Sequence, residues 1–122
     1  MIEIACLNGA SIVTVRFRGK LLVSDLSVFE TALSDRNAGL EHIRVLFDWI
    51  GVEGWGPGTG DSAWWPNWSD MARPIERAAI VHERRWNRQA ALLAAILRKN
   101  KAQARSWLPR NLPAALVWLK EK

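Results

Sequence analysis

Residues 43–47 read Ile-Arg-Val-Leu-Phe and residues 78–81 read Ala-Ala-Ile-Val, and these two apolar segments decide the fold. Apolar side chains occupy nearly every position in both, whereas a strand with one face in water alternates apolar and polar residues. Strands of this kind belong to a parallel sheet that is covered on both faces. The two segments therefore predict the centre of an α/β sheet.

Upstream of these segments, the apolar pattern has a period of two and then changes to a helical period. The runs 2–7 and 12–17 flank Asn8-Gly9, a dipeptide typical of the tight turn in a β-hairpin. A helix follows, which we expect to end within residues 35–39. Its apolar positions are Leu22, Leu26, Phe29 and Leu33.

Downstream, helical and strand-like segments continue to alternate. Residues 62–72 predict a short helix with Pro66 in its first turns, and residues 84–99 form the clearest amphipathic helix. Residues 102–107 predict the last strand, and a closing helix begins at Pro113. The predicted order is β-β-α-β-α-β-α-β-α, an α/β fold in which an antiparallel N-terminal hairpin joins a mostly parallel five-stranded sheet with helices packed over it.

The composition is that of a globular protein without export signals. Its 122 residues suit a single domain over residues 1–122. The longest apolar run, Ala90–Leu97, has eight residues, fewer than the ~18 that span a bilayer, so we predict no transmembrane segment. Met1 is followed by no basic start, which argues against a signal peptide. With Cys6 as the single cysteine, we expect a cytoplasmic location.

Charge is distributed unevenly along the chain. Residues 1–72 hold five basic and nine acidic side chains, a net charge of −4, whereas residues 73–122 hold twelve basic and three acidic ones, a net charge of +9. The helix over 84–99 carries a basic face, formed by Arg84, Arg88, Arg98 and Lys99. Such a face is more often solvated than bound to nucleic acid, which we do not expect as a partner, and it also suits anionic lipid.

The segment from 47 to 72 is the best candidate for a site. It holds five of the eight tryptophans and five of the eight glycines, and it leaves the carboxyl end of the predicted third strand, where sheets of this type bind ligands. Its indoles are either the lining of an apolar pocket or structural plugs of the core. The candidate ligand-binding residues are Gly54, Trp55, Gly56, Trp64, Trp65 and Trp68.

The same segment lacks the residues that reactions require. It contains no nucleophile–base pair, no metal cluster and no phosphate-loop lysine. His42 and His82 stand at strand edges without the spacing of a metal site. We therefore predict no catalytic residue, no metal site and no cofactor.

An ordered set of short motifs over nearly the whole chain resembles the SpoIIAA-like family, small bacterial proteins with an α/β fold of the STAS and CRAL-TRIO type. The motifs are Met1-Ile2-Glu3, Gly19-Lys20-Leu21, Ile43–Asp48, Glu53-Gly54-Trp55, Ala63-Trp64, Arg77-Ala78-Ala79-Ile80-Val81, Ala102-Gln103-Ala104-Arg105 and Ala115-Leu116-Val117-Trp118-Leu119. The resemblance implies a non-enzymatic regulatory or ligand-binding module. Relatives that are phosphorylated at the start of the helix after the third strand make Thr59 and Ser62 candidate phosphorylation sites.

Two further expectations concern partners. CRAL-TRIO relatives bind lipids, so the alternative function is a lipid-binding or peripheral membrane protein that uses the tryptophan-rich segment and the basic helix 84–99. We also expect a homodimer, because eight tryptophans in 122 residues exceed what a small core readily hides, and exposed aromatic patches usually mark an interface.

Overall fold

The computed structural model describes residues 1–6, 12–37 and 42–121, and their helices and strands follow the predicted order. The strands are β1 (Ile2–Cys6), β2 (Ile12–Leu21), β3 (Ile43–Trp55), β4 (Ile75–Val81) and β5 (Gln103–Trp107). The α-helices are α1 (Val23–Asn37), α2 (Ser69–Ala72), α3 (Asn87–Lys99) and α4 (Leu112–Lys120). Short 3-10 turns occupy Trp65–Trp68, Arg84–Trp86 and Pro109–Asn111. The predicted Asn8-Gly9 turn and the end of the first helix beyond Asn37 lie outside the described residues.

The five strands form one sheet in the order β1-β2-β3-β4-β5. β1 pairs with β2 antiparallel, and every other neighbouring pair is parallel. The predicted α/β class, the N-terminal hairpin and the mostly parallel sheet are therefore confirmed. Because β2 to β5 are parallel, their last residues meet at one side of the sheet, which we call the carboxyl edge.

Helices cover the two faces of the sheet unequally. α1, α2 and α3 follow parallel strands in consecutive order, and right-handed crossovers of this kind place them on one face. On that face the core contains Phe17, Phe47 and Leu93, whereas α4 packs its Leu119 against Leu46 on the opposite face. Side chains of β3 and β4 are thus buried on both sides, which is why their sequence is apolar at consecutive positions.

β3 is longer than predicted and includes residues 48–55 of the tryptophan-rich segment 47–72. It continues from Asp48 to Trp55, because β2 also continues and pairs Gly19 with Val52, Lys20 with Gly54 and Leu21 with Trp55. Trp49, Gly54 and Trp55 are therefore strand residues, and the loop begins at Gly56. Glycine and tryptophan suggested a loop locally, but the partner strand decides the conformation.

Two predicted helices are also divided in the structure. The helix expected over 62–72 is a 3-10 turn at Trp65–Trp68 followed by the single turn of α2, with Pro66 near its start as predicted. The helix expected over 84–99 begins as a 3-10 turn and becomes α-helical at Asn87.

Candidate functional site

Six indoles lie against one another at the carboxyl edge. The distances between centroids of contacting rings range from 4.7 to 6.1 Å. β3 supplies two of the rings, the segment 64–68 supplies three, and the 3-10 turn after β4 supplies one. We call this group the tryptophan cluster, and its members are Trp49, Trp55, Trp64, Trp65, Trp68 and Trp86.

The cluster is closed over most of its surface. Trp49, Trp64, Trp65 and Trp68 are each at most 3% exposed, and all four belong to the hydrophobic core. Three predicted ligand-binding residues, Trp64, Trp65 and Trp68, thus fill space in the core instead of lining an open cleft. A cavity beside Trp68 has a volume of about 10 Å³, no more than one water molecule needs. Only Trp55 and Trp86 are partly exposed.

The indole N–H groups of the cluster are mostly unpaired. Trp65 Nε1 donates to the carbonyl of Gly60 at 3.0 Å. Among the described residues, six other indole nitrogens are buried without a hydrogen-bond partner: five in the cluster, those of Trp49, Trp55, Trp64, Trp68 and Trp86, and that of Trp107 outside it. Buried indoles usually find an acceptor, and each unpaired donor costs about 1–3 kcal/mol. The cluster thus concentrates five donors that an acceptor atom could pair.

Residues 56–61, which we call the glycine loop, cover the cluster. Gly56 N donates to Leu21 O at 2.7 Å, and Thr59 Oγ1 donates to Gly56 O at 2.7 Å. A Cβ on Gly56 would lie 2.5 Å from Leu21 O, so this predicted ligand-binding residue is needed for close backbone packing. Gly54 has open space around its Cα instead.

The two candidate phosphorylation sites differ in access. Thr59 is 7% exposed, and its hydroxyl is already used inside the glycine loop. Ser62 is exposed, directly after Asp61. The Asp61 carboxylate accepts hydrogen bonds from the amides of Ala63 and Trp64 at 3.1 and 2.9 Å, so it caps the turn that leads to the cluster.

The segment after β4 closes the cluster from the other side. His82 is 3% exposed, and its Nδ1 donates to Glu83 O at 2.8 Å. The Arg85 guanidinium stacks over the Trp86 ring at 4.7 Å and donates to Val52 O at 3.2 Å. This role of Arg85 was not predicted, because its acceptor lies 33 residues away and no local sequence pattern indicates the contact.

The predicted basic face is only partly a free surface. Arg84, Arg88 and Lys99 are exposed, and the described residues give Arg84 and Arg88 no ion-pair partner. Arg98 is exposed as well, but it donates to Ala104 O of β5 at 2.8 Å. Arg44 and Arg77, which no sequence pattern singled out, donate to backbone carbonyls at the end of α4.

The described residues offer little for metal binding or for crossing a membrane. No group of three or more His, Cys, Asp or Glu side chains in the described ranges could hold a metal ion. No helix among the same residues is long and apolar enough to cross a membrane.

The tryptophans give no support to a homodimer, because they do not form an exposed aromatic patch. The five most buried indoles are at most 9% exposed, and the other three are partly buried.

Comparison with known proteins agrees with this architecture. Residues 12–120 match the family model described as SpoIIAA-like. A solved structure of an uncharacterized protein from the DUF3478 family, with a SpoIIAA-like fold, from Shewanella loihica PV-4 superposes with a TM-score of 0.70. It is 18% identical and the match covers 98% of this chain and 92% of that one, so the likeness shows the fold alone. No curated protein matches the sequence.

Proposed function

Because this chain belongs to the SpoIIAA-like family, we propose that it is a small regulatory or ligand-binding module without catalytic activity of its own. The observation that carries the proposal is the tryptophan cluster, with its five buried and unpaired indole N–H groups at the carboxyl edge. Sheets of this type bind ligands at that edge. An apolar ligand with hydrogen-bond acceptor atoms would pair these donors and bury its surface among the rings.

The polar side chains around the cluster hold its loops in place. The Thr59 hydroxyl, the Asp61 carboxylate and His82 Nδ1 each make a hydrogen bond to the backbone. The Thr59 hydroxyl is buried and engaged inside the glycine loop, so it is not free to act as a nucleophile. The proposal places the module in the cytoplasm, in line with its single cysteine.

Titration with a neutral apolar fluorophore, N-phenyl-1-naphthylamine, tests the proposal. We expect saturable binding with quenching of tryptophan emission. The variant Trp55→Leu should weaken binding, since this ring is a partly exposed member of the cluster. Trp118→Leu is the control, because Trp118 belongs to α4, which packs on the opposite face of the sheet. Absence of saturable binding, or equal losses in both variants, would contradict the proposal.

A second candidate, association with a membrane surface, rests on a different observation. Leu22 and Val23 are 51% and 56% exposed at the start of α1. They lie beside the glycine loop, because a Cβ on Gly58 would be 3.2 Å from Val23 Cγ2. This apolar tip shares the carboxyl edge with the exposed residues Arg84 and Arg88, and apolar and basic groups together suit an anionic bilayer.

Co-sedimentation with vesicles tests the second candidate. Vesicles containing a third of phosphatidylserine should retain the protein and pure phosphatidylcholine vesicles should not. Leu22→Ser combined with Val23→Ser should abolish retention, whereas Val117→Ser is the control, since Val117 is 63% exposed on α4 away from this edge. Retention that is independent of the apolar tip would remove this candidate.

A further inference from the structure

The start of α3 has an unfavourable charge distribution. Helix N-termini carry partial positive charge and favour acidic side chains. Here the first turn of α3 has no acidic residue and contains Arg88, while Arg84 and Arg85 form the 3-10 turn immediately before it. Only Arg85 has an ion-pair partner among the described residues, Glu83 at 3.3 Å. Local violations of a stabilising rule are expected at functional sites.

This positive charge adjoins the exposed side of the tryptophan cluster. The Arg85 guanidinium lies over the Trp86 ring, whose centroid is 5.9 Å from that of Trp55. Trp55 in turn contacts Trp49 at 5.2 Å, and Trp49 is fully buried with its indole nitrogen unpaired. A continuous row of rings thus connects Arg85, the neighbour of Arg84 in the chain, to a buried donor. We call the partly exposed pair, Trp55 and Trp86, the mouth of the cluster.

We propose that the cluster binds an apolar or aromatic anion, with its apolar body among the indoles and its anionic group at the mouth. Arg84 and Arg88 neutralise the anion. Buried indole N–H groups donate to acceptor atoms on the ligand body. The inference rests on the proposed ligand-binding function and adds the sign of the ligand's charge and the residues that select it.

The glycine loop supplies the route for entry. Its residues Gly58 and Gly60 have φ angles of +77° and +73°, and a single hydrogen bond, from Gly56 N, holds its first residue to Leu21 O. Its other end is anchored through Gly60 and Asp61 to residues 63–65. Displacing this loop uncovers Trp55, Trp64 and Trp65 without moving a strand. A closed site opened by a loop accounts for unpaired donors in a cluster that has no open cleft in this structure.

Two fluorescent probes of similar size distinguish the effect of the ligand's charge on affinity from the effect of its apolar surface. The anion is 1-anilinonaphthalene-8-sulfonate, and the neutral probe is N-phenyl-1-naphthylamine. We expect the native protein to bind the anion more tightly. Arg88→Glu should raise the Kd of the anion about tenfold and that of the neutral probe less than about twofold. Lys99→Glu makes the same change of charge at the other end of α3 and should leave both Kd values within about twofold.

Each outcome decides between the inference and the function on which it rests. If both probes bind equally and Arg88→Glu changes neither, the anion inference is wrong and the ligand-binding function stands. If neither probe binds, both are wrong. Equal loss of anion binding in Arg88→Glu and Lys99→Glu would overturn the inference as well, because it would show an effect of net charge. Arg88 is exposed without an ion-pair partner among the described residues, so its variant should fold, and a thermal melt verifies this.

Discussion

At the scale of single residues, Gly60 packs directly against the Trp55 ring. Gly60 has a φ of +73°, and a Cβ there would lie 2.8 Å from Cδ2 of Trp55. Gly54 lies next to the same tryptophan, yet a Cβ there would meet nothing within 4 Å. Two glycines six residues apart therefore have different roles, although both stand in one glycine-rich segment of the sequence.

Gly60→Ala should destabilise the protein by about 2–4 kcal/mol, since it adds both left-handed strain and a collision with the Trp55 ring. Gly54→Ala should change the free energy of unfolding by no more than about 0.5 kcal/mol. Urea denaturation of the two variants measures both values. Equal destabilisation would show that the Trp55 ring does not restrict position 60.

Substitutions of the two predicted pocket residues, Trp55 and Trp64, should affect folding stability and ligand binding to different extents. Trp64 is 3% exposed, so Trp64→Ala should cost about 3–5 kcal/mol of folding free energy, as other truncations of large core side chains do. Trp55 is partly exposed at the mouth, so Trp55→Ala should cost less stability and should weaken binding of apolar probes. Denaturation and titration of both variants test this. If both variants bind the probe with unchanged affinity per folded molecule, the pocket hypothesis is wrong and the two indoles only fill space in the core.

At the scale of helices and strands, periodicity predicted the type and order of elements but not where each one ends. The apolar segments of β3 and β4 and the helical period of α3 are local properties, so the sequence displays them. The extension of β3 to Trp55 depends on pairing with β2, which lies more than thirty residues earlier, and glycines at 51 and 54 concealed it. The closed packing of the cluster likewise depends on contacts among three separate segments, so no local pattern displays it.

The end of α4 depends on an arginine that the sequence analysis missed. Arg77 Nη1 donates to Trp118 O at 2.7 Å and to Glu121 O at 3.1 Å, and the guanidinium lies 5.0 Å from the centroid of the Trp118 ring. No spacing rule links residues 41 positions apart, so only the fold reveals the contact.

Arg77→Met should lower stability by about 1–3 kcal/mol, because the last carbonyls of α4 lose a charged donor. Hydrogen exchange of α4 amides should accelerate relative to that of α3. Arg105→Met is the control, since Arg105 contacts the same Trp118 ring at 5.5 Å but is exposed. The same change in both variants would show that stacking on the indole, and not the hydrogen bonds, fixes the helix.

The charge at the start of α3 predicts an inverse relation between stability and binding. Arg88→Glu should raise the melting temperature by about 1–4 °C, because an acidic side chain in the first turn suits the helix dipole. Lys99→Glu should lower it by a similar amount, since Lys99 stands in the last turn. Both shifts should shrink in 1 M salt. A fall in melting temperature for Arg88→Glu would contradict the interpretation that this charge is retained at a cost to stability.

At the scale of the whole molecule, the family and the fold were predictable from the sequence, whereas the burial of the indoles in the candidate site was not. The ordered motifs and the alternation of strands and helices identify the architecture. Burial of individual indoles depends on the exact approach of three segments, and a sequence does not show which of eight tryptophans face water. The homodimer was expected because of those tryptophans and stays a prediction; Leu22 and Val23, which are 51% and 56% exposed, are the apolar side chains that we propose for its interface.

Sedimentation velocity tests the homodimer. At micromolar concentration we expect a species of twice the 13.8 kDa chain mass. Leu22→Ser combined with Val23→Ser should shift the equilibrium towards the monomer, because burial of these side chains would supply apolar area at an interface. A species of 13.8 kDa alone would contradict the prediction.

The measurement that tests the account most directly is the NMR spectrum of the indole N–H groups during a titration with 1-anilinonaphthalene-8-sulfonate. The chain has eight tryptophans, so eight separate signals report on the two faces of the sheet. Binding within the cluster should shift the signals of Trp49, Trp55 and Trp86 downfield as unpaired donors gain acceptors. The signals of Trp107 and Trp118, on the face that carries α4, should stay in place. Unchanged cluster signals at saturating probe, or shifts confined to Trp107 and Trp118, would contradict a ligand site in the tryptophan cluster.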